Sequence, residues 1–234
     1  MKLTPRLQAI ADKVTPGHVV ADIGTDHGYI PIYLIKNNIS FKVIAADINE
    51  GPLRNAQKQI SMAGLQDRII TRLGNGLKIL KPDEVDTVIM AGMGGLLIKD
   101  LLVNSLSIVE SVKQFILQPM VAQAELRYWL SHHGFTIVDE ILAKEGNKYY
   151  EIMVVERGKT AIEDEIYYIV GKKLLENRDP LLMEYIENQI RKHKNILRGL
   201  ENPVSHNARL KSLEFKDKVR KLEEVLRCLK SAEQ

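Results

Sequence analysis

The chain has 234 residues, 45% apolar and 27% charged, with a formal net charge of +3 and a single cysteine, Cys228. That length supports one sizeable core with residues left for a smaller second unit. The composition excludes a disulfide scaffold, a multi-cysteine metal site and a uniformly basic nucleic-acid binder, so any nucleic-acid surface must be a local patch.

Leu3, Leu7, Ile10 and Val14 recur at spacings of three and four, which predicts a helix over residues 3–14 with one apolar face, stopped by Pro16-Gly17. This start reads as an amphipathic helix rather than a signal peptide. No apolar run approaches the roughly 18 residues of a membrane span, so a cytoplasmic protein with no membrane partner and no metal is expected.

Residues 18–23 form the expected first strand. It runs into Asp22 and then into a turn bounded by Gly24 and Gly28, before a helix predicted over residues 29–37. Gly24 lets the backbone turn sharply and approach a ligand, and Gly28 brings the helix start close to the strand. A dinucleotide fingerprint wants a second glycine where Asp26 stands. A carboxylate there repels a pyrophosphate and tolerates a cation, which favours S-adenosylmethionine over NAD or FAD.

A second strand, residues 41–46, closes at Asp47. This acidic residue follows Asp22 by 25 positions, close to where a nucleotide-binding unit takes ribose hydroxyls. The next helix starts near Asn49, with Pro52 in its first turn, and stops at Ala63-Gly64. Strand three, residues 69–73, leads to Gly74-Asn75-Gly76, where Asn75 either hydrogen-bonds an adenine edge or occupies a left-handed turn. Strand four, residues 85–90, precedes Ala91-Gly92-Met93-Gly94-Gly95, a backbone open to close approach, with Met93 as packing or lid and a helix from Leu96. Strand five, residues 115–118, is expected to end at Pro119 before a helix over 121–132. Residues 135–144 and 149–157 then make an antiparallel edge hairpin about a turn at 145–148.

After residue 158 the pattern becomes helix only, which places a domain boundary there and predicts domains 1–158 and 159–234. A helix is expected over 162–176, with corners at Asp179-Pro180 and Asn202-Pro203. Ile186, Ile190, His193, Leu197 and Leu200 form one coiled-coil seam, and Phe215, Val219, Leu222, Leu226 and Leu229 another. Arg191, Lys192, Lys194 and Arg198, then Arg209, Lys211, Lys216, Lys218, Arg220 and Lys221, make either an RNA-facing stripe or a solvated surface of weak ion pairs. His193 reads as a satisfied polar group in the seam.

The first glycine turn, Asp47, Gly74-Asn75-Gly76 and Met90-Ala91-Gly92-Met93-Gly94-Gly95 together resemble the class I S-adenosylmethionine-dependent methyltransferases. With Gln118-Pro119, Asn147-Lys148-Tyr149-Tyr150-Glu151 and the helical tail, nearly the whole chain resembles the bacterial tRNA (adenine-22-N1)-methyltransferase family, TrmK. The resemblance implies a Rossmann-like, mostly parallel α/β sheet with an antiparallel edge hairpin, followed by an α-helical coiled-coil domain. It also implies methyl transfer from S-adenosylmethionine to N1 of an adenine in tRNA. Carried over by position, Asp22, Gly24 and Gly28 form the methionine side of the cofactor site, Asp47 holds the ribose, Asn75 and Gly76 the adenine, and Ala91 and Gly92 lie under the sulfonium, with His27 and Ile48 as further cofactor contacts. Met93, Gly94, Gly95, Gln118, Pro119, Asn147, Tyr149, Arg191, Lys192 and Lys194 are the expected substrate contacts.

The Asn/Asp-Pro-Pro-aromatic device with which many amino-group methyltransferases grip an exocyclic amine is absent, which favours attack by a ring nitrogen. Asp26 is then the candidate catalytic field, stabilising charge moving onto the base, with Tyr29 stacking on or orienting that base; the alternative is that Asp26 caps the following helix or grips the cofactor amine. Competing readings are a methyltransferase for DNA, protein or a small molecule, and a non-catalytic cofactor-binding or interaction module.

Overall fold

The computed structural model describes residues 2–159, 162–200 and 205–231, and the chain divides into two compact units, Met1–Glu163 and Asp164–Gln234. In the first unit, α1 (Pro5–Ala11) precedes β1 (Val20–Ile23), α2 (Tyr29–Lys36), β2 (Val43–Asp47), α3 (Glu50–Met62) and β3 (Ile69–Leu73). A 3-10 turn over Gly76–Ile79 leads to β4 (Thr87–Gly94), α4 (Gly95–Val103), α5 (Leu106–Ser111), β5 (Gln114–Val121), α6 (Gln123–His132) and the hairpin β6 (Phe135–Glu145) and β7 (Lys148–Arg157). The seven strands form one sheet in the order β3-β2-β1-β4-β5-β7-β6. Strands β1 to β5 are parallel, and β7 runs antiparallel to both neighbours.

Both faces of the sheet are covered, which is why its central strands are apolar almost throughout. Ile10 of α1, Leu34 and Ile35 of α2, and Ala56 and Ile60 of α3 pack with Val20, Val43 and Ile89 on one face. Ile98 and Leu102 of α4, Val109 of α5, and Leu126 and Leu130 of α6 pack with Ala21, Val88 and Phe115 on the other. Arg127 of α6 is buried between Glu140 of β6, at 2.7 Å, and Glu151 of β7, at 2.6 Å, tying the helix to the hairpin. A buried charge is retained only with such partners.

The structure changes several expected boundaries for identifiable reasons. Helix α1 is shorter than residues 3–14 because Lys13 and Val14 turn back to Ile10 and Ala11 in tight i→i−3 bonds, although Leu3 and Val14 are buried as the periodicity required. Strand β4 does not stop at Met90. It continues through Gly94, with Gly92 left over between the pairs Ala91↔Gln118 and Met93↔Pro119, so the glycines make a bulged strand end rather than a loop. Pro119 does not terminate β5 either: β7 pairs with β5 only over Phe115–Leu117, so a residue without an N–H is tolerated where the ladder has been interrupted. The helix after β4 is broken at Asn104 and Ser105 into α4 and α5.

The second unit contains α7 (Ile166–Val170), α8 (Lys172–Glu176), α9 (Leu182–Arg198) and α10 (His206–Ser231). The single helix expected over 162–176 is divided at Gly171, whose φ of +89° a helix cannot contain. Asp179-Pro180 forms the corner before α9, while Asn202-Pro203 lies outside the described residues. Ile186 and Ile190 of α9 and Val219 and Leu222 of α10 are buried, and Lys194–Glu223 and Lys230–Glu187 pair the two helices at 2.6 and 2.8 Å. His193 lies against Phe215 at 5.3 Å between ring centroids, and its Nδ1 has no partner among the described residues, which differs from the satisfied polar group expected. Burial, followed by the charges of Lys218 and Lys192, lowers its pKa.

Candidate cofactor and base site at the sheet switch point

The chain moves outward from β1 to β2 and β3, then returns to place β4 and β5 on the other side. Because these strands are parallel, their carboxyl ends share one edge, and a crevice opens at that edge where the order reverses. The turn after β1, Asp47 of β2, the 74–76 segment after β3 and the bulged end of β4 all lie along it.

The first turn is held from below. Gly24 and Thr25 both donate backbone N–H groups to Ala46 O, at 2.8 and 2.9 Å, with Gly24 at a φ of +83°. A Cβ on Gly24 would lie 2.6 Å from Met93 Cε, so the β1 turn and the β4 bulge meet across the crevice. Met93 is partly buried and also packs against the core. Gly28 holds a φ of +67°, and a Cβ there would make only ordinary contacts with Ala56 and Ile60 of α3, at 3.4 and 3.5 Å, so the left-handed backbone is what calls for glycine.

Two carboxylates stand at the carboxyl ends of β1 and β2. Asp22 is buried, and desolvation, opposed by a hydrogen bond from Thr25 and assisted by the charge of Asp47, pushes its pKa from 3.8 to about 6. Asp47 accepts the Asn49 N–H through Oδ1 at 2.7 Å, and its other oxygen has no partner among the described residues. A cation placed between them relieves their repulsion, while a pyrophosphate adds to it. The chemistry of this donor set therefore fits a sulfonium nucleoside, with the open Asp47 oxygen available to a ribose hydroxyl.

Gly74 donates to Asp47 O at 2.9 Å, which carries the β3 turn to the same place. Arg72 supports this turn through Ile79 O at 2.8 Å and through Glu84, whose pKa it draws down to about 2. Asn75 has φ −91° and ψ 105°, so the left-handed alternative is ruled out; Gly76, at φ +55°, takes that conformation instead. The Asn75 side chain is exposed and makes no hydrogen bond among the described residues, which leaves its amide available to a base edge.

Asp26, His27 and Tyr29 form an exposed cluster above the turn. His27 Nε2 lies 3.2 Å from Asp26 Oδ2, and the His27 ring stacks on Tyr29 at 5.1 Å and 18°. Helix α2 is capped by Gly28 with no side-chain bond, so Asp26 does not cap it. Ile48 is exposed at the lip beyond Asp47, and Ala91 and Gly92 line the β4 side.

Three expected substrate contacts prove to be internal. Gln118 and Pro119 are buried, and Gln118 spends its carboxamide on Arg6, Gly92 and Pro119 O. Gly95 is buried because a Cβ there would collide with Ala122 O at 2.4 Å, so it allows α4 to pack on the loop after β5. The residues exposed at this point are Met120 and Val121, which the sequence concealed by placing them after a proline expected to end the strand. Gly94 is partly exposed beside Val121. The β6–β7 tip projects past the same edge, since β7 pairs Met153 with Leu117 and runs antiparallel to β5. Asn147 is exposed at that tip, and Tyr149 receives Lys144 over its ring at 5.4 Å.

Arg6 was missed entirely. Nothing in a helical stretch identified by its apolar spacing indicates that its arginine reaches the ends of β4 and β5.

Of the α9 cations, Lys194 pairs with Glu223, whereas Arg191 and Lys192 are exposed and make no ion pair among the described residues. A cavity of about 590 Å³ in the second unit, lined in part by Tyr167, Leu175, Arg220 and Cys228, is a separate concavity in which Arg220 is already paired with Asp217 and Glu224. Among the described residues no group of His, Cys, Asp and Glu could hold a metal, and no helix is long and apolar enough to cross a membrane.

The strand order, the antiparallel β7 and the anionic crevice at the switch point define a Rossmann-like methyltransferase fold. Comparison with known proteins narrows this. Residues 20–224 match the family described as tRNA (adenine(22)-N(1))-methyltransferase, TrmK. The tRNA (adenine(22)-N(1))-methyltransferase of Bacillus subtilis is 31% identical over 97% of this chain and 98% of its own. A Streptococcus pneumoniae protein solved in complex with S-adenosyl-L-methionine has a TM-score of 0.86 at 32% identity, covering 96% of this chain and all of that one. M. capricolum TrmK, solved with S-adenosyl-homocysteine, has a TM-score of 0.82 at 31% identity, covering 97% of this chain and 98% of that one. The chain belongs to the tRNA (adenine(22)-N(1))-methyltransferase family.

Proposed function

We propose that this protein transfers a methyl group to N1 of adenine 22 in tRNA, the reaction its family description names, from S-adenosylmethionine, the cofactor bound in a solved relative. The observation that carries the reading is the pair Asp22 and Asp47 beneath a glycine turn at the switch point, an anionic cradle suited to a sulfonium. When bound, S-adenosylmethionine supplies an electrophilic methyl group. Asp47 accepts a ribose hydroxyl, Asn75 with Gly76 meets the adenine, and Asp22, Gly24, His27, Gly28, Ile48, Ala91 and Gly92 complete the cofactor surface.

Adenine N1 has a free lone pair in the plane of the ring, so attack needs no base to remove a proton, and the product ring is positively charged. Positioning and charge stabilisation are therefore the main catalytic tasks. Asp26, exposed beside the turn, supplies a carboxylate field toward that charge, and Tyr29, already stacked on His27, extends the platform on which the base lies. Gly94, Met120 and Val121 form an apolar rim to the same opening, with Asn147 at the hairpin tip.

Residues 1–158 serve as the catalytic domain and 159–234 as a helical domain of coiled-coil type whose open cations, Arg191 and Lys192 among them, contact phosphates. Incubation with labelled S-adenosylmethionine and tRNA, followed by nucleoside analysis, tests the reading. One 1-methyladenosine per tRNA is expected, lost when position 22 is not adenine. Label in another nucleoside, or only in protein, would refute it.

A further inference from the structure

The β4 bulge, which faces the bound cofactor and the target base in the function proposed above, is linked by hydrogen bonds to the N-terminal helix. The Arg6 backbone N–H is anchored to Glu145 Oε1 at 2.9 Å, and its guanidinium lies over the Tyr150 ring, 5.2 Å from the centroid. From there Nη1 donates to Gln118 Oε1 at 3.0 Å. The same oxygen accepts the N–H of Gly92 at 3.2 Å, while Gln118 Nε2 donates to Pro119 O at 3.0 Å. Gly92 is the unpaired residue of the bulge, at φ +76°, and a Cβ there would stand 3.6 Å from Arg6 Nη1. One carboxamide thus joins the helix to the strand end.

The choice of arginine has a chemical consequence. A carboxamide can rotate to present either its oxygen or its NH₂, and a rotated Gln118 would set two donors against each other at Gly92. A guanidinium only donates, so it holds the oxygen in place. The arrangement also leaves Arg6 Nε buried without an acceptor among the described residues. A buried unmatched donor is costly and calls for an explanation other than stability. Its place against the bulge of the methyl-transfer crevice provides one.

We propose that Arg6 is a positioning residue for methyl transfer: acting through Gln118, it fixes the Gly92 amide and with it the β4 bulge against which cofactor and adenine are aligned. This rests on the functional reading above, and two readouts keep the two claims apart.

The first readout is amide exchange at Gly92 in the cofactor-free protein, followed by NMR. Arg6→Ala should speed it by about tenfold or more, since loss of the donor frees the carboxamide. Arg6→Met, which keeps the stem over Tyr150, is the second variant should alanine disturb α1. The second readout is steady-state methylation of tRNA. Arg6→Ala should lower kcat roughly 10- to 100-fold with KM for tRNA within about twofold, as expected for misplacement rather than lost binding. Arg6→Lys, which restores one donor, should recover part of the rate. The double variant Arg6→Ala/Gln118→Ala should be no slower than Gln118→Ala alone, because the two act in series.

An unchanged Gly92 amide in the Arg6 variants would overturn the clamp whatever the activity. So would a loss confined to KM that deepens with salt, which would make Arg6 a direct phosphate contact. Wild-type protein that makes no 1-methyladenosine would sink the functional reading, while the Gly92 measurement would still decide whether the clamp exists.

Discussion

The two edges of the central strands are built on opposite terms. At the amino edge the polar side chains satisfy one another: His18 Nδ1 lies 2.8 Å from Thr87 Oγ1, Thr87 donates to Gln114 Oε1 at 3.0 Å, and Gln114 Nε2 donates to Lys13 O at 3.2 Å. Asp86 accepts the Val19 N–H and pairs with Lys113. At the carboxyl edge Asp22 is buried with a raised pKa, one Asp47 oxygen and the Asn75 amide are open, Arg6 Nε is orphaned, and Ala122 holds a left-handed φ of +59°. One edge pairs its polar groups, and the other, where the proposed site lies, leaves several of them open among the described residues. Departures from local consistency gather where function lies.

That contrast is broken most visibly at Asp22. Its folded pKa of about 6 lies above the ordinary 3.8, so its contribution to stability is full below about pH 4 and is lost as pH rises through 6. At 1.36 kcal/mol per unit, the loss at pH 7 is about 3 kcal/mol. Asp22→Asn should therefore stabilise the protein by about 2–3 kcal/mol at pH 7 and hardly at all at pH 3.5 in urea titrations, while weakening cofactor binding. Asp47→Ala comes next. It should cost roughly 1.5 to 3 kcal/mol of S-adenosylmethionine affinity, tenfold or more by calorimetry, and leave the melting temperature within about 2 °C.

Changes at the amino edge should have the reverse signature. Thr87→Val leaves Gln114 and His18 short of a partner and should lower stability by about 1–2 kcal/mol, with kcat per folded molecule unchanged. Lys113→Ala should have the smallest effect, under about 0.5 kcal/mol, because Lys113 is 69% exposed and a surface ion pair is largely screened. A rate defect from either variant would erase the distinction between the edges.

Much of the layout was legible in the residues. Buried parallel strands read as apolar runs, so β3 was placed to the residue and Asp47 at its strand tip, and the edge hairpin followed from two long alternating segments about a glycine turn. Hidden features depended on contacts between distant segments. Pro119 looked like a stop because its tolerance depends on where β7 ceases to pair. The Gly92 region looked like a loop because a bulge is defined by the partner strand. Gln118 resembled a substrate contact, and only the fold shows that it is buried with its amide engaged by Arg6, 112 positions away. Asp26 as a helix cap was a fair local reading that Gly28 pre-empted.

Hydrogen exchange with and without S-adenosylhomocysteine compares the two edges in one measurement. Protection should rise in the segments 22–29, 47–49, 74–76 and 91–94, and stay unchanged at 18–20, 86–87 and 113–114. Protection that appeared equally at both edges, or only in the helical unit, would contradict the placement of the cofactor at the switch point.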